Sequence, residues 1–453
     1  MYGGEDSIMR IALCKNSFAG PVSGADEALT TYATTLHARR YDVHVLLLFP
    51  CADDDPYYIR LKDAGVPVSF VLKQSPLFEL IVWVRNLLAT VLFFIFFIPW
   101  VKELLRGIWQ GLMDFMTRPR LVRCRNCLNQ LHPDILHIFT PDDGARLMIR
   151  AGHDLGIPTL YHELGTANHL PMLTRYYQRL GEVLPLCTEV AALSPRLASE
   201  WAERFPFLNS ISVVPLIIER TRAFNLSSQI PRRSTPVVFG FAGRVEEGKG
   251  TFVLLDAMQR VSRHRHLAVA RIAGAGPELA KAKARARELK MEDAYEFVGH
   301  YADPLGRHAF MNSLDVFVLP SFAEGTPNAI IEAMSNGLPI IASDVGGVRD
   351  VIGDDAGVLV PAGNSEALSA AIVRLAQDSE LRKRMGDAAR HRYEKLFSAA
   401  AVVPLMLRTY ARVTRNGHEF SGVLSATGAL HPWTEVRLDR LASGKEKAAA
   451  SQL

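Results

Sequence analysis

The residues with the clearest chemistry are two glutamates, eight positions apart in the segment that reads PSFAEGTPNAIIEAMSNGLP. Glu324 falls in the loop after an apolar run, and Glu332 falls in the helical stretch that follows. The free N–H groups and the positive dipole end at the start of a helix favour a phosphate or polar sugar groups. A carboxylate deeper in such a helix can accept hydrogen bonds from a vicinal diol such as ribose. The alternative is that Glu332 is a solvated helix glutamate.

The helix that carries Glu332 has start and end signals in the sequence. Thr326 can cap it and Pro327 can be its first residue, because proline tolerates the first helical position. Gly337 is predicted to end the helix after about Asn336. The immediate neighbours of Glu332 are apolar, so the sequence does not assure that its carboxylate is exposed.

A second candidate site is the loop within FGFAGRVEEGKGT. A predicted strand ends at Gly243, and Arg244 and Lys249 follow before the next helical stretch. Both cations can point at one anion placed over the strand ends. Taken alone, an arginine and a lysine in a loop are most often exposed to solvent, and that alternative stays open on residue type.

The elements that must position these residues alternate between strand and helix. Short apolar runs, each bounded by Gly, Pro or Asp, are separated by helical stretches, as in parallel sheets that are buried on both faces. We therefore predict an α/β fold of two Rossmann-like domains, with a ligand cleft at the carboxyl ends of the strands. The predicted strands are Ile11–Cys14, Val43–Phe49, Val66–Leu72, Ile135–Thr140, Pro158–Glu163 and Val190–Leu193 in the first domain, and Val237–Ala242, Leu267–Ala273, Tyr295–Val298, Val316–Leu319, Pro339–Ala342 and Gly357–Val360 in the second.

Composition shifts divide the chain into five parts. The N-terminal domain is predicted over residues 1–224, and the polar stretch rich in Ser and Pro at 225–235 reads as a linker. The C-terminal domain follows at 236–392, and a helix at 393–415 is predicted to return to the N-terminal domain. Residues 416–453 are rich in Gly, Ser, Ala and Lys and are predicted to be a disordered tail.

An apolar and basic insertion is predicted at about residues 75–128 of the N-terminal domain. Its uncharged part, Leu87–Val101, spans roughly 22 Å as a helix, which is short of a hydrocarbon core of about 30 Å. A single crossing would also separate strands that share one sheet. The stretch Trp100–Met116 has an apolar helical stripe beside basic residues, as interfacial helices have. We predict that residues 77–116 contact a membrane as a hairpin or in the interface; the alternative is an insertion packed on its own domain.

Overall composition is that of an ordinary globular protein. Of 453 residues, 49% are hydrophobic and 22% are charged, which excludes disorder along the whole chain. The net charge of +4 is too small to indicate nucleic acid, and its concentration beside an apolar segment favours a membrane surface. The N-terminal MYGGEDSIMRIAL lacks the basic and apolar regions of a signal peptide, so no export is expected.

The chain has five cysteines, an odd number that argues against a disulfide scaffold and for a reducing compartment. Cys124 and Cys127 form one C-x-x-C pair, with His132 as a third candidate ligand. Because a structural zinc site normally needs four ligands, we favour two ordinary cysteines and predict no metal site.

Four motifs, in the expected order, resemble those of the retaining GT-B nucleotide-sugar glycosyltransferases of the GT4-type family, glycosyl transferases group 1. The E-x7-E pattern is present as Glu324 and Glu332, and the G-R-x4-K-G loop as residues 243–250. Residues 273–277 resemble the family's G-x-G-P turn, and residues 297–300 its base-binding F-x-G turn. The resemblance implies a GT-B fold.

The resemblance also implies roles for individual residues. Glu332 would bind the ribose hydroxyls, and Glu324 would face the hydroxyls of the donor sugar. Arg244 and Lys249 would neutralise the departing diphosphate, and the family works without an essential metal or other cofactor. The further donor-binding residues implied are Gly24, Gly274, His300, Gly325, Thr326, Pro327 and Asn328.

In the N-terminal half the resemblance is looser. Gly24 lies in the first strand-to-helix loop, where the family keeps small residues beside the phosphate. His162 follows the fifth strand, where the family has a histidine next to the transferred sugar; a lone histidine is otherwise most often structural. The final helix resembles the family's return crossing.

Together these observations predict a retaining, metal-independent glycosyltransferase that transfers a hexose-type sugar from a nucleoside-diphosphate sugar. Its acceptor would be lipid-linked or an envelope glycan, at the cytoplasmic face of the cell membrane. The alternatives are another GT-B sugar-nucleotide enzyme, such as an epimerase or a phosphorylase, and a membrane-bound pseudoenzyme that scaffolds glycan assembly.

Overall fold

The structure is a computed structural model of the 453-residue chain. It describes residues 9–18, 24–73, 117–139, 143–165, 174–208, 210–219, 236–262, 267–291, 294–299, 304–414 and 431–433. The linker predicted at 225–235, the predicted membrane segment 77–116 and His300 lie outside the described residues.

The first domain is a seven-stranded sheet in the order β3-β2-β1-β4-β5-β6-β7, with parallel pairing throughout. Its central strands are buried on both faces, as in a parallel sheet that helices cover on both sides. The elements are β1 Arg10–Lys15, α1 Gly24–Ala38, β2 Asp42–Leu47, α2 Pro56–Asp63, β3 Val68–Phe70, α3 at 117–131, β4 Ile135–Phe139, α4 Asp143–Asp154, β5 Thr159–Glu163, α5 Thr174–Gly181, β6 Glu189–Ala192, α6 Pro195–Arg204 and β7 Ile211–Val213.

The second domain is a six-stranded parallel sheet in the order β10-β9-β8-β11-β12-β13. Its elements are β8 Val237–Ala242, α7 Thr251–Val261, β9 Ala268–Ala273, α8 Leu279–Glu288, β10 Tyr295–Gly299, α9 Pro304–Asn312, β11 Val316–Leu319, α10 Asn328–Ser335, β12 Ile340–Ser343, α11 Val348–Ile352, β13 Gly357–Val360 and α12 Ser365–Gln377. The two sheets confirm the predicted pair of Rossmann-like domains.

The strand orders locate the place where a ligand is expected. In each sheet the direction of winding reverses next to the first strand of the domain, between β1 and β4 and between β8 and β11. Ligands of open α/β sheets bind outside the carboxyl ends of the strands at such a switch point. The loop with Lys249 follows β8 and the loop with Glu324 follows β11, so both candidate loops lie at this point of the second sheet.

All twelve predicted strands are present, with bounds that differ from the prediction by at most two residues. The sequence reading missed β7, which has three residues and pairs with β6 at the sheet edge. The predicted start of α10 was wrong. Pro327 has an extended backbone and is the cap position, and Asn328 is the first helical residue. Thr326 Oγ1 is buried and has no hydrogen-bond partner among the described residues.

Two helices, α13 Ser379–Leu396 and α14 Ala399–Val413, lead the chain back to the first domain. Phe397 and Ser398 separate them, and Ser398 caps α14 by accepting a hydrogen bond from the N–H of Ala401. Tyr393 donates a hydrogen bond to the carbonyl of Ile218 at 2.8 Å. The apolar face of α14 packs in the same buried cluster as β1 and β2. The predicted return crossing is therefore present, although it consists of two helices.

One helical stretch among the described residues, Ser379–Val413, has the length and mean hydropathy of a membrane span. Its most apolar window is 61% buried inside the protein, as expected for helices that pack on both domains. The predicted tail also contains ordered contacts: His431 bonds to the carbonyl of Leu396 at 3.0 Å, and Trp433 packs edge-on against Phe397. The prediction of disorder from residue 416 onward was therefore wrong at residues 431–433.

Candidate active site at the carboxyl ends of the strands

Lys249 and Glu324 form an ion pair at the switch point of the second sheet. Lys249 Nζ lies 2.8 Å from Glu324 Oε1, and the hydroxyl of Ser321 donates to the same oxygen at 2.7 Å. The loop after β8 reaches β11 because Gly250 has a φ of 70°, and a Cβ there would lie 1.9 Å from the carbonyl oxygen of Pro320. The position of Lys249 beside Glu324 therefore requires a glycine at residue 250.

Arg244, the other predicted cation, lies in the same loop but is not held as Lys249 is. Its side chain is 57% exposed, and Nη2 lies 3.2 Å from a carboxylate oxygen of Glu246. The alternative of an exposed loop cation therefore describes Arg244 in this conformation, and it does not describe Lys249.

Glu332 is a buried carboxylate, so the alternative of a solvated helix glutamate is wrong. Arg307 on α9 donates from Nη1 to Glu332 Oε1 at 2.7 Å. Burial raises the pKa of Glu332 to about 7; the Arg307 guanidinium opposes that rise, and the charge of Glu27 adds to it. Near neutral pH the carboxyl of Glu332 is therefore present both as the carboxylate, which accepts hydrogen bonds, and as the protonated acid, which also donates one.

The starts of helices α1 and α10 meet across the two domains. Asn328 Nδ2 lies 3.4 Å from the carbonyl oxygen of Gly24, and a Cβ on Gly24 would lie 3.5 Å from the same amide. Gly325 approaches the first domain more closely, since a Cβ there would lie 2.6 Å from the carbonyl oxygen of Leu164. The structure thus brings the predicted residues Gly24, Gly325 and Asn328 to the place where the two domains meet.

Gly274 lies in the turn after β9 and packs against Gly243 at the end of β8. Its φ is 147°, its N–H donates to the carbonyl of Gly299 at 2.8 Å, and a Cβ would lie 1.8 Å from the carbonyl oxygen of Gly243. The turn after β9 therefore packs directly on the start of the loop that carries Arg244, which no larger residue would allow.

His162 lies at the end of β5, as predicted, but its side chain is inside the core. It is 0% exposed, and its Nδ1 lies 3.1 Å from His137 Nε2, whose Nδ1 lies 2.6 Å from the hydroxyl of Tyr410. Burial lowers the pKa of His162 to about 3, so it is neutral near pH 7. In this conformation no part of the side chain is exposed to the cleft. The geometry therefore agrees with a structural histidine, the alternative that the sequence left open.

A second contact between the domains lies at the start of α6. Asp350 accepts a hydrogen bond from the backbone N–H of Arg196 at 2.7 Å, and Arg196 Nη1 lies 3.1 Å from Asp344. Arg349 also pairs with Asp344, at 2.5 Å. The contact joins α6 of one domain to α11 of the other. It is favourable because the dipole of a helix attracts a carboxylate to the start of that helix.

Sequence reasoning missed Arg307, Glu27 and Glu163. Arg307 lies in an unremarkable helix 25 positions before its partner Glu332, and nothing in its spacing marks it. Glu163 is fully buried at the end of β5, where Tyr161 and the N–H of Gly165 donate to it at 2.7 and 2.9 Å. A charged residue at the end of an apolar strand is the signal that could have identified Glu163.

Among the residues the structure describes, no group of three or more His, Cys, Asp or Glu is arranged to hold a metal ion. Cys124 is buried and Cys127 is partly buried on α3, and burial raises the pKa of both thiols.

Comparison with known proteins agrees with this geometry. Residues 224–392 match the family model for glycosyl transferases group 1. The phosphatidyl-myo-inositol mannosyltransferase of Mycobacterium leprae is 34% identical over 193 residues, which are 41% of this chain and 49% of that protein. The capsular polysaccharide biosynthesis glycosyltransferase CapM of Staphylococcus aureus is 29% identical over 167 residues, 36% of this chain and 43% of that protein. The chain thus matches less than half the length of these two relatives.

The likeness to solved structures extends over most of the chain. The crystal structure of HepE from Anabaena in complex with UDP-glucose superposes with a TM-score of 0.65 at 17% identity, over 89% of this chain and 100% of that one. At this identity the likeness establishes the fold. The chain has the GT-B fold, and its residues 224–392 are similar to the glycosyl transferases group 1 family.

Proposed function

We propose that the protein is a retaining glycosyltransferase that transfers a sugar from a nucleoside-diphosphate sugar to a lipid-linked or envelope-glycan acceptor. The observation that carries the proposal is the pairing of Lys249 with Glu324 at the switch point of the second sheet, 2.8 Å apart. The buried carboxylate of Glu332 lies in the helix that follows the same loop. A cation, a sugar-facing carboxylate and a ribose-facing carboxylate are what a nucleotide-sugar donor requires.

Each residue would act on a different part of the donor. Glu332 accepts hydrogen bonds from the ribose diol, and Glu324 accepts them from the hydroxyls of the sugar. Lys249 stabilises the negative charge that develops on the departing diphosphate, and Arg244 turns from Glu246 toward the same phosphates. HepE, which has the same fold, binds UDP-glucose, which supports a nucleotide-sugar donor.

The reaction would be a front-face displacement. The bond from the anomeric carbon to the diphosphate oxygen breaks, and a bond from that carbon to the acceptor oxygen forms on the same face. The acceptor proton passes to the departing phosphate oxygen, so no separate base is needed. Closure of the two domains excludes water and limits hydrolysis of the donor.

The two cations would supply the charge that a divalent metal supplies in other transferases. Transfer should therefore persist in EDTA. A rate that falls at least tenfold in EDTA and returns with Mg²⁺ or Mn²⁺ would overturn metal independence.

The proposed location is the cytoplasmic face of the cell membrane, reached through the insertion in the first domain. Relatives named for a phosphatidylinositol mannosyltransferase and a capsular polysaccharide transferase support a membrane-linked acceptor. Flotation with anionic vesicles of phosphatidylglycerol tests the location. The intact protein should float and a variant that lacks residues 87–116 should not; flotation of that deletion variant would contradict the proposal.

The donor class is tested by thermal shift with UDP, GDP, ADP, CMP and dTDP, with NAD as a control. A nucleotide at about a hundred times its Kd adds roughly 2.7 kcal/mol of stability. We expect one diphosphate to stabilise the protein and the Lys249→Ala variant to respond less. Stabilisation by none of them, with vesicles present, would favour a scaffold without donor binding.

A further inference from the structure

Four charged side chains form a chain that crosses from one domain to the other. Arg60 on α2 pairs with Glu27 on α1 at 2.7 Å, and Glu27 Oε1 lies 4.0 Å from Arg307 Nη2. Arg307 Nη1 then pairs with Glu332 at 2.7 Å. One guanidinium therefore points one nitrogen at the first domain and the other at the carboxylate proposed to bind ribose.

The position of Glu332 makes its partner important. A carboxyl accepts hydrogen bonds from both hydroxyls of a ribose diol best when it is ionised, because a protonated carboxyl uses one oxygen as a donor and accepts more weakly on the other. Burial and the nearby charge of Glu27 both raise the pKa of Glu332, and Arg307 is the cation that opposes them. Arg307 therefore favours the charged form of Glu332, and its hydrogen bond to Oε1 orients the carboxylate.

The contact between Glu27 and Arg307 links the first domain to the orientation of Arg307. Glu27 is largely buried and is itself held by Arg60, so its carboxylate has a fixed direction when the domains are together. It attracts Nη2 of Arg307 across 4.0 Å, and because the guanidinium is planar this attraction favours the orientation in which Nη1 reaches Glu332. When the domains separate, Arg307 loses this second anchor.

We propose that Arg307 is the positioning residue of the ribose subsite, and that through Glu27 it makes recognition of the ribose 2′-hydroxyl depend on closure of the two domains. This inference rests on the proposed function, in which Glu332 binds the ribose. It assigns to Arg307 no contact with the reacting atoms.

The test is the affinity ratio between UDP and 2′-deoxy-UDP, measured by calorimetry at pH 8 and pH 6; GDP and 2′-deoxy-GDP serve as a second pair. At pH 8 the intact protein should favour the ribose form by about tenfold or more, the effect of one hydrogen bond to a charged group. Arg307→Gln should reduce the ratio to less than about threefold, and Arg307→Lys should restore part of it. The exposed Arg285→Gln in the same domain is the matched control and should keep the full ratio.

The pH dependence separates a positioning role from a merely structural one. In the intact protein the ratio should fall between pH 8 and pH 6, as Glu332 takes up a proton near pH 7. Without the Arg307 charge the pKa of Glu332 rises further, so any ratio left in Arg307→Gln should be lost at a higher pH. A structural defect would weaken UDP and 2′-deoxy-UDP equally at both pH values.

The outcomes distinguish this inference from the proposed function. If Glu332→Gln keeps the full ratio, or if the UDP and GDP pairs and also ADP and 2′-deoxy-ADP all fail to bind, the ribose assignment fails and the inference fails with it. If Glu332→Gln abolishes the ratio and Arg307→Gln keeps it, the inference alone is overturned. Glu27→Gln and Arg307→Gln should be non-additive in their effects on the UDP Kd; additive effects would overturn the dependence on domain closure.

Discussion

The ammonium of Lys249 and the carboxylate of Glu324 lie 2.8 Å apart, although 75 positions separate them in the chain. Each residue follows one of two adjacent central strands, β8 and β11. Parallel strands end at the same edge of a sheet, so the loops that follow them meet there. The ion pair is thus a direct consequence of strand order.

Replacing Lys249 tests its electrostatic role. Lys249→Ala should lower kcat/KM by about 2–4 kcal/mol, by analogy with the loss of one donor that stabilises developing negative charge. Arg244→Ala should show a loss of the same order, because its exposed guanidinium can turn to the diphosphate. Steady-state kinetics with the donor identified by thermal shift measures both. Lys281→Ala, on an exposed helix face, is the control, and changes below about 0.5 kcal/mol at both sites would reject the assignment.

Gly250 and Gly248 form a matched pair in the same loop. Gly250→Ala should destabilise the protein by more than about 2 kcal/mol, because the left-handed backbone alone costs about 1–2 kcal/mol in an alanine and the Cβ would overlap the carbonyl of Pro320. Gly248→Ala should stay within about 0.5 kcal/mol, since nothing lies within 4 Å of its Cβ. Urea unfolding measures both. Equal effects would show that the loop does not pack on β11 as described.

Glu163 should give the protein a distinctive pH dependence. Burial raises the pKa of this carboxyl from 4.5 to about 7, so the folded state binds a proton more tightly than the unfolded chain does. The stability that this group contributes is complete below about pH 4.5 and is lost as the pH rises through 7. The loss is at most about 3 kcal/mol.

The measurement is urea unfolding of the intact protein and of Glu163→Gln between pH 5 and pH 8. The free energy of unfolding of the intact protein should fall more over this interval than that of the variant, in which the group no longer titrates. Glu366→Gln, at an exposed site on α12, should follow the intact protein. Parallel curves for the intact protein and Glu163→Gln would contradict a raised pKa.

Asp350 should affect domain closure more than stability. It accepts the N–H of Arg196 across the domains, and exposed contacts of this kind are worth at most about 1 kcal/mol. Loss of that amount changes the ratio of closed to open forms about fivefold. Asp350→Ala should therefore raise donor hydrolysis relative to transfer by up to about fivefold while the Tm stays nearly constant. Asp354→Ala is the control, because Asp354 is exposed in the turn that follows α11, and it should leave the ratio of hydrolysis to transfer unchanged. A fall in that ratio in Asp350→Ala would refute a role of Asp350 in domain closure.

By itself the sequence determined the two sheets, the positions of Glu324, Glu332 and Lys249, and the placement of the candidate site at strand ends. These features are local, because buried strands are marked by short apolar runs between helical stretches, and the loops after them follow directly. The order of the motifs is likewise readable from the sequence, and it predicted the resemblance to glycosyl transferases group 1 that residues 224–392 show.

Tertiary structure decided which groups these residues contact. Arg307, Glu27 and the burial of His162 could not be read from spacing, because each depends on strand order and on how the two domains meet. Ion pairs and desolvation act through space at distances of a few ångströms. Residues far apart in the chain, such as Glu27 and Arg307, acquire their charge relationship when folding brings α1 and α9 together.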